Sequence, residues 1–565
     1  MTAPTSESAA EPAPLPANAD PQLGPELRAR LARYGASEAT IQGQVLFTAG
    51  DVDPDFFFLE RGTIDIIRQS FNAPPEPITR YTAGSFLGEL TMLAHSEAYV
   101  TARVSEPGRV LRVPSAEFLR LMATEGELSD AILTAFEARR AVLLTAASQT
   151  IEVVGRTGTA ASLALLSYLI RMELPHRWLE AGSPEAVRAL TANGMPEYST
   201  EMPVALLYNG RVLRRTTPGE LADAVGNAYR PRIDEDFDLI VVGAGPAGMA
   251  AAVYGASEGL ETICLDAIGP GGQAAASSRI ENYLGFPSGL SGAELTHRAA
   301  IQALKFGARL NAPCEIVGLR RDADGLVVDL PDGVSIRTRA VIIATGAQYR
   351  RLPLDRWADF EGAGIFFAAT ELEARQCRGS RVAVIGGANS AGQAALFLAK
   401  KGSQVELVVR GGDLGAEMSD YLVQRLRTHP GVTIRTSTEV TGLAGGDALE
   451  SIELTERGGA DDPIVEAVEC SGLFCFIGAT PATGWLDGVA LDDAGFVLTD
   501  VQLTDDVLAD SWPPEFGMPL PFETSIPGVF AAGDVRIGSM KRVAAAVGEG
   551  ASAVASVHRR LAPRA

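Results

Sequence analysis

Two glycine-rich turns are the residues of this sequence whose types and spacing most directly indicate chemistry. The first follows the apolar run 237–242 and has glycines at positions 243, 245 and 248, and the second follows the apolar run 381–385. In such a turn the first glycine allows the sharp bend, the second lets the backbone approach a pyrophosphate, and the third allows close helix packing. The phosphate then lies at the N-terminus of the following helix. The spacing predicts dinucleotide binding at the first turn.

Asp266 adds a ribose contact to the first turn. It ends the apolar run 262–265 and lies 23 positions after Gly243. A carboxylate at this spacing accepts hydrogen bonds from ribose hydroxyls. The glycines alone are a weak signal, but a strand, a turn, a helix and a correctly spaced acid together favour a nucleotide site over an unliganded structural turn.

The second turn departs from the usual pattern. It reads Gly386-Gly387-Ala388-Asn389-Ser390-Ala391, so that Ala388 replaces the middle glycine and adds a methyl group beside the pyrophosphate. The next apolar run ends in Arg410. A guanidinium there pairs with a 2′-phosphate, whereas a carboxylate would pair with a free ribose hydroxyl. We therefore expect NADPH here, with NADH as the other candidate and a solvated surface arginine as the alternative reading of Arg410.

Further motifs between residues 237 and 558 resemble those of the thioredoxin-reductase-like flavoproteins, in that family's order. They are Gly271-Gly272-Gln273, Glu281-Asn282, Ala344-Thr345-Gly346, Gly533-Asp534 and Lys541-Arg542-Val543. The resemblance implies that FAD contacts Gly243, Gly245, Pro246, Ala247, Gly248, Asp266, Gly272, Gln273, Asn282, Ile316, Ala344, Thr345, Gly346, Gly533, Asp534, Lys541, Arg542 and Val543. It implies that NAD(P)H contacts Gly386, Gly387, Ala388, Asn389, Ser390, Ala391, Arg410 and Gly478.

The redox-active dithiol of the resembled family is missing. That family carries Cys-Ala-Thr-Cys just before the second nucleotide strand, where this sequence has Ala368-Ala369-Thr370-Glu371. The five cysteines contain no Cys-x-x-Cys pair and are expected to be small core residues. No side chain is therefore predicted to be catalytic with certainty, and the chemistry is left to the flavin.

Without a dithiol, the resemblance implies that electrons pass from NAD(P)H through FAD to oxygen, a quinone or a protein acceptor. Two alternatives stay open. One is a flavin-based sensor with negligible turnover, and the other is a reductase that delivers electrons to ferredoxin or flavodoxin. The acidic chain argues against the second alternative, because those carriers are also acidic.

An N-terminal segment, residues 84–93, resembles the phosphate-binding cassette of cyclic-nucleotide-binding domains. Glu89 matches the glutamate that contacts the ribose 2′-hydroxyl in that family. The arginine that pairs with the cyclic phosphate is replaced by Ala98 or a close neighbour, and Arg103 is either its substitute or a barrel-surface residue. A cyclic nucleotide is thus a candidate ligand that has lost its strongest anchor.

Residues 151–227 alternate between strand and helix patterns and resemble a thioredoxin-like or glutaredoxin-like fold. Met202-Pro203 stands where that fold keeps a cis-proline before a strand. The segment 155–162, which follows the first strand, contains no cysteine. This domain is expected to have lost its dithiol as well.

Composition sets the broad class. The 565 residues predict about three to five domains. The net charge of −22 disfavours nucleic acid and anionic membranes as partners. The first 27 residues lack Lys and Arg, so no signal peptide is expected, and no apolar run is long enough to span a bilayer. These features predict a soluble cytoplasmic protein without a metal site, and the resemblance implies a homodimer.

The predicted fold class is multidomain, with mixed α/β and β parts. We expect a disordered tail over 1–24, a cyclic-nucleotide-binding-like β-barrel or jelly roll over 25–148, and a thioredoxin-like α/β domain over 149–229. Two Rossmann-like three-layer domains follow. The FAD domain is predicted over 235–349 and 478–565, and the NAD(P)H domain over 350–477.

Overall fold

The computed structural model of the protein forms two compact units. It describes residues 16–70, 73–88, 90–94, 97–146, 151–196, 201–230, 236–277, 280, 282–322, 325–331, 333–361, 363–367, 369, 371–446, 448–457, 463–508 and 512–562. The first unit contains residues up to 155, 172–228 and 304–309, and the second contains 156–171, 229–303 and 310–565.

The N-terminal part of the first unit is a β-barrel followed by helices. Its elements are α1 (Pro25–Leu31), β1 (Ala36–Ala39), β2 (Val45–Phe47), β3 (Phe56–Ser70), β4 (Ala73–Thr82), β5 (Phe86–Leu87), β6 (Val100–Val113), α2 (Ser115–Thr124) and α3 (Gly126–Ala146). The six strands form one sheet, in which β6 pairs antiparallel with β1, β2 and β3. The two helices α2 and α3 are separated at Glu125, directly before Gly126.

The structure differs from the predicted disordered tail at residues 16–24. Ala19 and Leu23 are buried, and Arg139 of α3 donates a hydrogen bond from Nε to the Ala19 carbonyl at 2.7 Å. The prediction of disorder is therefore wrong for residues 16–24, because this segment is packed and a buried guanidinium binds its backbone. Residues 1–15 lie outside the described residues.

The elements from residue 151 to 224 agree with the predicted strand and helix order. They are β7 (Ile151–Gly155), α4 (Ala160–Arg171), β8 (His176–Glu180), α5 (Pro184–Ala192), β9 (Val204–Leu207), β10 (Val212–Leu213) and α6 (Pro218–Ala224). The sheet order is β10-β9-β7-β8, with β8 parallel and β9 antiparallel to β7. The Met202–Pro203 peptide bond is cis, as expected.

The second unit contains a mixed sheet that carries the first glycine turn. Its elements are β11 (Phe237–Val242), α7 (Pro246–Ser257), β12 (Thr262–Leu265), α8 (Gly292–Lys305), β13 (Arg309–Asn311), β14 (Gly318–Asp322), β15 (Gly325–Asp329) and β16 (Ser335–Ile343). The order is β13-β12-β11-β16-β15-β14. β11 pairs parallel with both β12 and β16, and its apolar residues are buried as expected for a parallel strand covered on both faces.

A separate sheet, in which all strands are parallel, carries the other glycine turn. Its segment contains β17 (Ala347–Tyr349), α9 (Trp357–Phe360), β18 (Ile365–Phe366), α10 (Glu371–Gln376), β19 (Arg381–Ile385), α11 (Asn389–Lys400), β20 (Gln404–Val408), α12 (Asp420–Thr428), β21 (Val432–Arg435), β22 (Thr438–Gly445), β23 (Leu449–Glu456), β24 (Ile464–Glu469) and β25 (Gly472–Cys475). The parallel order is β18-β25-β19-β20-β21, and β22, β23 and β24 form an antiparallel sheet.

The chain then returns to the first of these two sheets. The closing elements are β26 (Ala479–Pro481), α13 (Asp505–Leu508), β27 (Val529–Ala531) and α14 (Val543–Leu561). β26 pairs antiparallel with β17, and β27 adds to the edge of β16 in parallel. Among the described residues, no helix is both long and apolar enough to cross a membrane.

A buried ion pair anchors the C-terminal helix α14. The Glu523 side chain has no exposed surface and accepts hydrogen bonds from Nε of Arg560 and from the backbone N–H of Gly528, each at 2.8 Å. Removing one partner of such a pair leaves a buried, uncompensated charge.

We expect Arg560→Met to lower the free energy of unfolding by about 3–5 kcal/mol, because Glu523 would lose its counter-ion in a site closed to solvent. Urea denaturation followed by tryptophan fluorescence measures this. Arg559→Met, on the neighbouring exposed residue of α14, is the control and should change stability by less than about 0.5 kcal/mol. Equal stabilities of the two variants would contradict the prediction.

Candidate dinucleotide sites

The first glycine turn connects β11 to α7 through backbone positions that exclude a side chain. Gly243 has φ +103°, and a Cβ added to it would lie 2.5 Å from the carbonyl oxygen of Ala344. A Cβ on Gly248 would collide with the Gly243 carbonyl oxygen, whereas one on Gly245 meets nothing nearer than the Gly272 Cα at 3.9 Å. Gly245 is the N-cap residue of α7, so no capping side chain accepts a hydrogen bond from the first N–H groups of this helix. The open space beside Gly245 and the free helix terminus form a cradle that fits a pyrophosphate.

Asp266 holds the loops around this cradle. Its Oδ2 accepts a hydrogen bond from the backbone N–H of Ala244 at 2.8 Å. Its Oδ1 accepts from the backbone N–H groups of Ile268 and Gly269, each at 2.8 Å. A carboxylate has about four acceptor positions, so this network leaves room for ribose hydroxyls. The ribose contact stays a prediction.

The Gly-Gly-Gln segment lies against the same turn. The backbone N–H of Gly271 donates to the Ala244 carbonyl at 2.7 Å, and Nε2 of Gln273 donates to the Ala347 carbonyl at 2.5 Å. Gly272 has φ +52°, and a Cβ there would lie 2.8 Å from the Gly245 Cα. These contacts bring two of the predicted flavin segments and the start of β17 together.

The Gly533-Asp534 motif meets the first turn from the other side. It follows β27, and a Cβ on Gly533 would lie 2.9 Å from that of Ala247 in α7. The Asp534 carboxylate has no hydrogen-bond partner within the described part of the chain. Burial raises the pKa of this carboxyl group, Lys541 lowers it and Glu549 raises it. A half-buried carboxylate without a donor fits a ligand that brings hydroxyl groups, as the ribityl chain does.

The start of α14 supplies the last predicted flavin contact. Lys541 has φ +48°, and the exposed Arg542 is the N-cap residue of this 19-residue helix, whose first residue is Val543. The first N–H groups of a helix lack internal partners and carry a partial positive charge. They can therefore donate to a carbonyl oxygen of the isoalloxazine ring, as the resemblance implies.

The remaining residues predicted to contact FAD differ from one another in exposure and in the groups that they contact. Asn282 is exposed, and Ile316 packs into the hydrophobic core beneath the sheet, so only its backbone can face a nucleotide. The hydroxyl of Thr345 donates to the Ala482 carbonyl at 2.9 Å, which ties the Ala-Thr-Gly motif to the returning chain after β26. Gly346 has φ +67°. Glu281 lies outside the described residues.

The second glycine turn has the same architecture. Gly386 has φ +140°, and a Cβ on it would collide with the Phe476 carbonyl oxygen. Ala388 caps α11 with extended backbone, φ −93° and ψ 174°, so alanine is accommodated without strain. Oδ1 of Asn389 accepts from the backbone N–H of Ser419 at 2.7 Å and so joins α11 to α12. A Cβ on Gly387 would lie 3.3 Å from a methyl group of Val409, Ser390 is exposed and Ala391 is buried.

Arg410 is available to a ligand. It is exposed at the end of β20, and it has neither an ion-pair nor a hydrogen-bond partner among the residues that the structure describes. Arg435 on the neighbouring strand pairs instead with Glu406 and Glu466, which raises the pKa of its guanidinium. Gly478, also exposed, has φ +93° at the start of the returning chain.

No thiol lies at the position of the family's dithiol. Ala369 is buried in the core around α11, and Glu371 begins α10 and forms an ion pair with Lys401. Ala368 and Thr370 lie outside the described residues. Glu371 therefore forms a surface ion pair at a position where the resembled family has a redox-active cysteine.

All five cysteines are free and buried. Burial raises the pKa of the Cys377 thiol to about 12 and those of Cys470 and Cys475 to about 11, and it also raises the pKa of Cys264. Neutral thiols are poor nucleophiles, so these side chains act as core residues.

The structure places two of the three residues named for the cassette. Ala98 is buried at a cavity inside the barrel, whereas Arg103 is exposed on the outer face of β6, between buried Ala102 and Val104. Arg103 therefore does not replace the missing arginine of the cassette. Glu89 lies outside the described residues. The buried cation at this cavity is Arg139, which sequence reasoning missed because it lies on α3, far along the chain.

Family models match both halves of this architecture. The pyridine nucleotide-disulphide oxidoreductase model matches residues 237–550, and the cyclic nucleotide-binding domain model matches residues 41–125. The first match covers more than half of the chain, so the chain belongs to the pyridine nucleotide-disulphide oxidoreductase family. The predicted enzyme class, a thioredoxin-reductase-like FAD-dependent NAD(P)H oxidoreductase with an N-terminal cyclic-nucleotide-binding-type domain, is confirmed.

Individual relatives place the chain within the family. It is 30% identical over 323 residues to a thioredoxin reductase from Treponema pallidum, an alignment that covers 57% of this chain and 96% of that relative. It is 32% identical over 333 residues to a component of the alkyl hydroperoxide reductase of Xanthomonas campestris pv. phaseoli, covering 57% of this chain and 56% of that relative. The chain thus spans about half the length of the second relative.

Solved structures give the same fold. The crystal structure of T. acidophilum thioredoxin reductase superposes with a TM-score of 0.50 at 28% identity, covering 58% of this chain and 99% of that chain. Lactococcus lactis thioredoxin reductase gives a TM-score of 0.50 at 27% identity, covering 57% of this chain and 98% of that chain. The predicted pair of nucleotide-binding domains is confirmed at the level of fold.

We expect Asp534→Asn to raise the dissociation constant of FAD about ten- to a hundredfold, since a charge-assisted hydrogen bond contributes about 1.5–3 kcal/mol. The apoprotein of this variant should be at least as stable as that of the wild type. Because folding raises the pKa of the Asp534 carboxyl group, the ionised group disfavours folding at neutral pH, and its removal relieves that cost. Flavin fluorescence titration and thermal denaturation measure the two effects.

Asp487→Asn, at an exposed carboxylate of the same domain, is the matched control for this experiment and should change neither quantity. If the Asp534 variant bound FAD normally but lost apoprotein stability, Asp534 would be a structural residue and the assignment of the ribityl contact would be wrong.

N-ethylmaleimide should leave all five thiols of the native protein unmodified at pH 8, because all five are buried out of reach of the reagent, and burial also raises the pKa of Cys264, Cys377, Cys470 and Cys475. In denaturant all five should react, as mass spectrometry would record. NADPH oxidation after treatment should equal that before treatment. A fast-reacting thiol whose modification abolishes activity would show that a cysteine takes part in turnover.

Proposed function

We propose that this chain oxidises NADPH and transfers the electrons through FAD to an acceptor that is not a disulfide. The observation that carries the proposal is the cradle of backbone positions at Gly243, Gly245 and Gly272 in a chain whose two expected cysteine positions hold Ala368 and Glu371, the latter paired with Lys401. The acceptor is a quinone, dioxygen or a partner protein. The balanced reaction with a quinone consumes NADPH and one proton and yields NADP⁺ and the hydroquinone.

The chain's own residues would hold and orient the cofactors. FAD, when bound, takes a hydride from NAD(P)H and passes two electrons to the acceptor. Gly245 and the start of α7 would hold the pyrophosphate, Asp534 would accept a hydrogen bond from a ribityl hydroxyl, and the N–H groups at the start of α14 would face the ring. Gly386 and the start of α11 would hold the nicotinamide nucleotide in the same manner.

The surface near the predicted flavin contacts favours an apolar acceptor. Leu284 is 93% exposed two residues after Asn282, and Met540 is 74% exposed directly before Lys541. These two side chains would offer a quinone ring apolar surface to pack against. The net charge of −22 disfavours the acidic carriers ferredoxin and flavodoxin. Together these features support a quinone over an acidic electron carrier.

The other assignments of the assembly rest on likeness to the reductases. We propose a cytoplasmic homodimer in which the N-terminal barrel and the cysteine-free thioredoxin-like part modulate the catalytic half. Ala98 and the exposed Arg103 weaken the support for a cyclic nucleotide as the regulator.

Anaerobic stopped-flow spectroscopy tests the proposed reaction. NADPH should bleach the bound flavin, and menadione or dioxygen should reoxidise it, whereas an oxidised thioredoxin should not. Turnover of several per second or faster would lie in the usual enzyme range and rule out the low-turnover sensor. A flavin that NADPH fails to reduce, or one that only a disulfide reoxidises, would overturn the proposal.

Arg410→Ala should raise the KM for NADPH about tenfold or more and leave the KM for NADH unchanged, because a charge-assisted contact to the 2′-phosphate contributes about 1.5–3 kcal/mol. Steady-state kinetics with both nucleotides measures the effect. Arg378→Ala removes another exposed arginine of the same domain and serves as the control. Equal effects on NADPH and NADH would contradict a role in nucleotide choice.

A further inference from the structure

Helix α4 (Ala160–Arg171) is an addition to the half of the chain that the oxidoreductase family model matches. It follows the first strand of the thioredoxin-like segment and lies outside residues 237–550. Residues 156–171, which include this helix, nevertheless belong to the second compact unit, together with both glycine turns. The helix therefore packs with the nucleotide-binding domains although it lies outside them in sequence.

The N-terminal half of α4 contacts the domain that carries the second glycine turn. Leu163 is half-buried and packs against the hydrophobic cluster formed by α11, α12 and the sheet of β19. This cluster contains Ala369, beside the position of the family's dithiol, and Ala391, in the second glycine turn. Removing an apolar side chain from water stabilises such a contact. This half of the helix is therefore attached to the predicted NAD(P)H domain.

The C-terminal end of α4 contacts the other domain. Nη1 of Arg171 donates a hydrogen bond to the carbonyl oxygen of Gly269 at 3.4 Å. A Cβ on Gly269 would lie 3.0 Å from Cβ of Arg171 and 3.4 Å from its Cδ, so the aliphatic stem of the arginine lies against this backbone. The N–H of Gly269 is bonded to Asp266, which also holds the first glycine turn. This end of the helix is therefore attached to the predicted FAD domain.

Arg171 also lies near the strands that join the two domains. Burial raises the pKa of the Tyr349 hydroxyl to about 12, while the positive charge of Arg171 lowers this pKa and the negative charge of Asp534 raises it. Tyr349 ends β17, and its ring stacks on that of Phe367 with 5.2 Å between the centroids. Because charge interactions weaken with distance, Arg171 and Asp534 both lie close to this tyrosine.

The two contacts of α4 are held at a fixed spacing. Leu163 and Arg171 are eight residues apart, which is about 12 Å along a helix. The strands β17 and β26 pair over only three residues, so their pairing alone does little to fix the angle between the domains. If one domain rotated against the other, α4 would lose one of its two contacts. The helix therefore opposes such a rotation.

A single orientation of the domains is sufficient for a chain without the dithiol. The dithiol position, 368–371, and the second glycine turn, 386–391, belong to the same predicted domain. A dithiol in this domain and a nicotinamide bound to it would both have to reach one flavin, and they lie in different places on the domain. Ala368 and Glu371 cannot exchange electrons, so only the nicotinamide has to be presented.

We propose that Leu163 and Arg171 are positioning residues, through which α4 holds the two nucleotide-binding domains in one orientation for hydride transfer from NADPH to FAD. In this step NADPH loses a hydride and becomes NADP⁺, and FAD gains the hydride and one proton. The two residues act on the reaction only through the placement of the domains. The kinetic part of this inference rests on the proposed function, whereas the placement of the domains does not.

Pulsed electron–electron double resonance on the full-length, FAD-containing protein measures the placement. Spin labels on Ala555→Cys in α14 and Gln424→Cys in α12 report the distance between the domains, since both positions are exposed and the five native thiols are buried. Co-expression with an excess of wild-type chain leaves one labelled chain in each assembly. We expect one narrow distance distribution, which Leu163→Ala or Arg171→Ala should broaden.

Two matched controls come from the same segment of the chain. Ile170→Ala truncates an apolar side chain of α4 that is 51% exposed, and Arg156→Ala truncates an exposed arginine just before the helix. Both should keep the narrow distribution. Circular dichroism should show the same helix content in all four variants.

Anaerobic stopped-flow reduction by NADPH measures the effect on the reaction. Leu163→Ala and Arg171→Ala should each lower the limiting rate constant of flavin reduction at least about tenfold, because small displacements misplace the reacting groups. The dissociation constant of NADPH should stay unchanged, since one domain alone holds the nucleotide. The double variant should be no slower than the slower single variant, because loss of either contact already releases the helix, whereas effects of independent contacts would multiply.

The proposal is overturned if the distance distribution stays narrow in Leu163→Ala and Arg171→Ala, if the controls behave like these variants, or if the effects on the rate constant multiply in the double variant. An unchanged or faster flavin reduction in the single variants would also overturn it. If NADPH reduced the flavin of no variant and not that of the wild type, the proposed function would fail, and the distance distributions would still decide whether α4 fixes the domains.

Discussion

The contact between the backbones of Gly243 and Ala344 is the constraint on which the catalytic half depends. These residues follow β11 and β16, which pair in parallel and end at the same edge of the sheet. Their closeness leaves no space for a side chain at residue 243, so the chain must turn there and begin α7 at once. The cradle, the Gly-Gly-Gln segment and Asp534 then all lie around one helix terminus. Segments about 290 residues apart in sequence, from Gly243 to Gly533, are brought together by the pairing of β16 with β11 and β27 and by the packing of α14 against α7.

The loss of the dithiol is consistent with the rest of this arrangement. The same parallel sheet that carries the second nucleotide turn is packed with apolar residues up to Ala369, and Glu371 faces Lys401 at the surface. The cysteines elsewhere in the unit are buried, and burial raises the pKa of Cys264, Cys377, Cys470 and Cys475. The nucleotide-binding geometry does not need the dithiol, because the glycine turns and the helix termini are built by backbone. The fold can therefore keep its cofactor sites while the final electron acceptor changes.

The sequence predicts the local units well and the long-range partners poorly. The two strand-turn-helix units and the crossover motif follow from apolar runs and glycine spacing, which are local signals. The bonds of Asp266 to loop amides and the pairing of Glu371 with Lys401 depend on where distant loops and helices lie, so no spacing rule finds them. Arg139 is the clearest case. In sequence it is one of two adjacent arginines in a helix, and only the packing of α3 against the barrel buries it.

The short ribbon of β17 and β26 has a mechanical consequence. Both passages of the chain between the FAD and NAD(P)H domains run through this ribbon, side by side and antiparallel, over three residue pairs. Gly346 and Gly478, both with positive φ, stand at its ends. If one of these predicted domains rotated against the other, the ribbon would have to twist, because the chain passes between them only here. Gly346 and Gly478 would be suited to absorb that twist, since glycine adopts positive φ without strain.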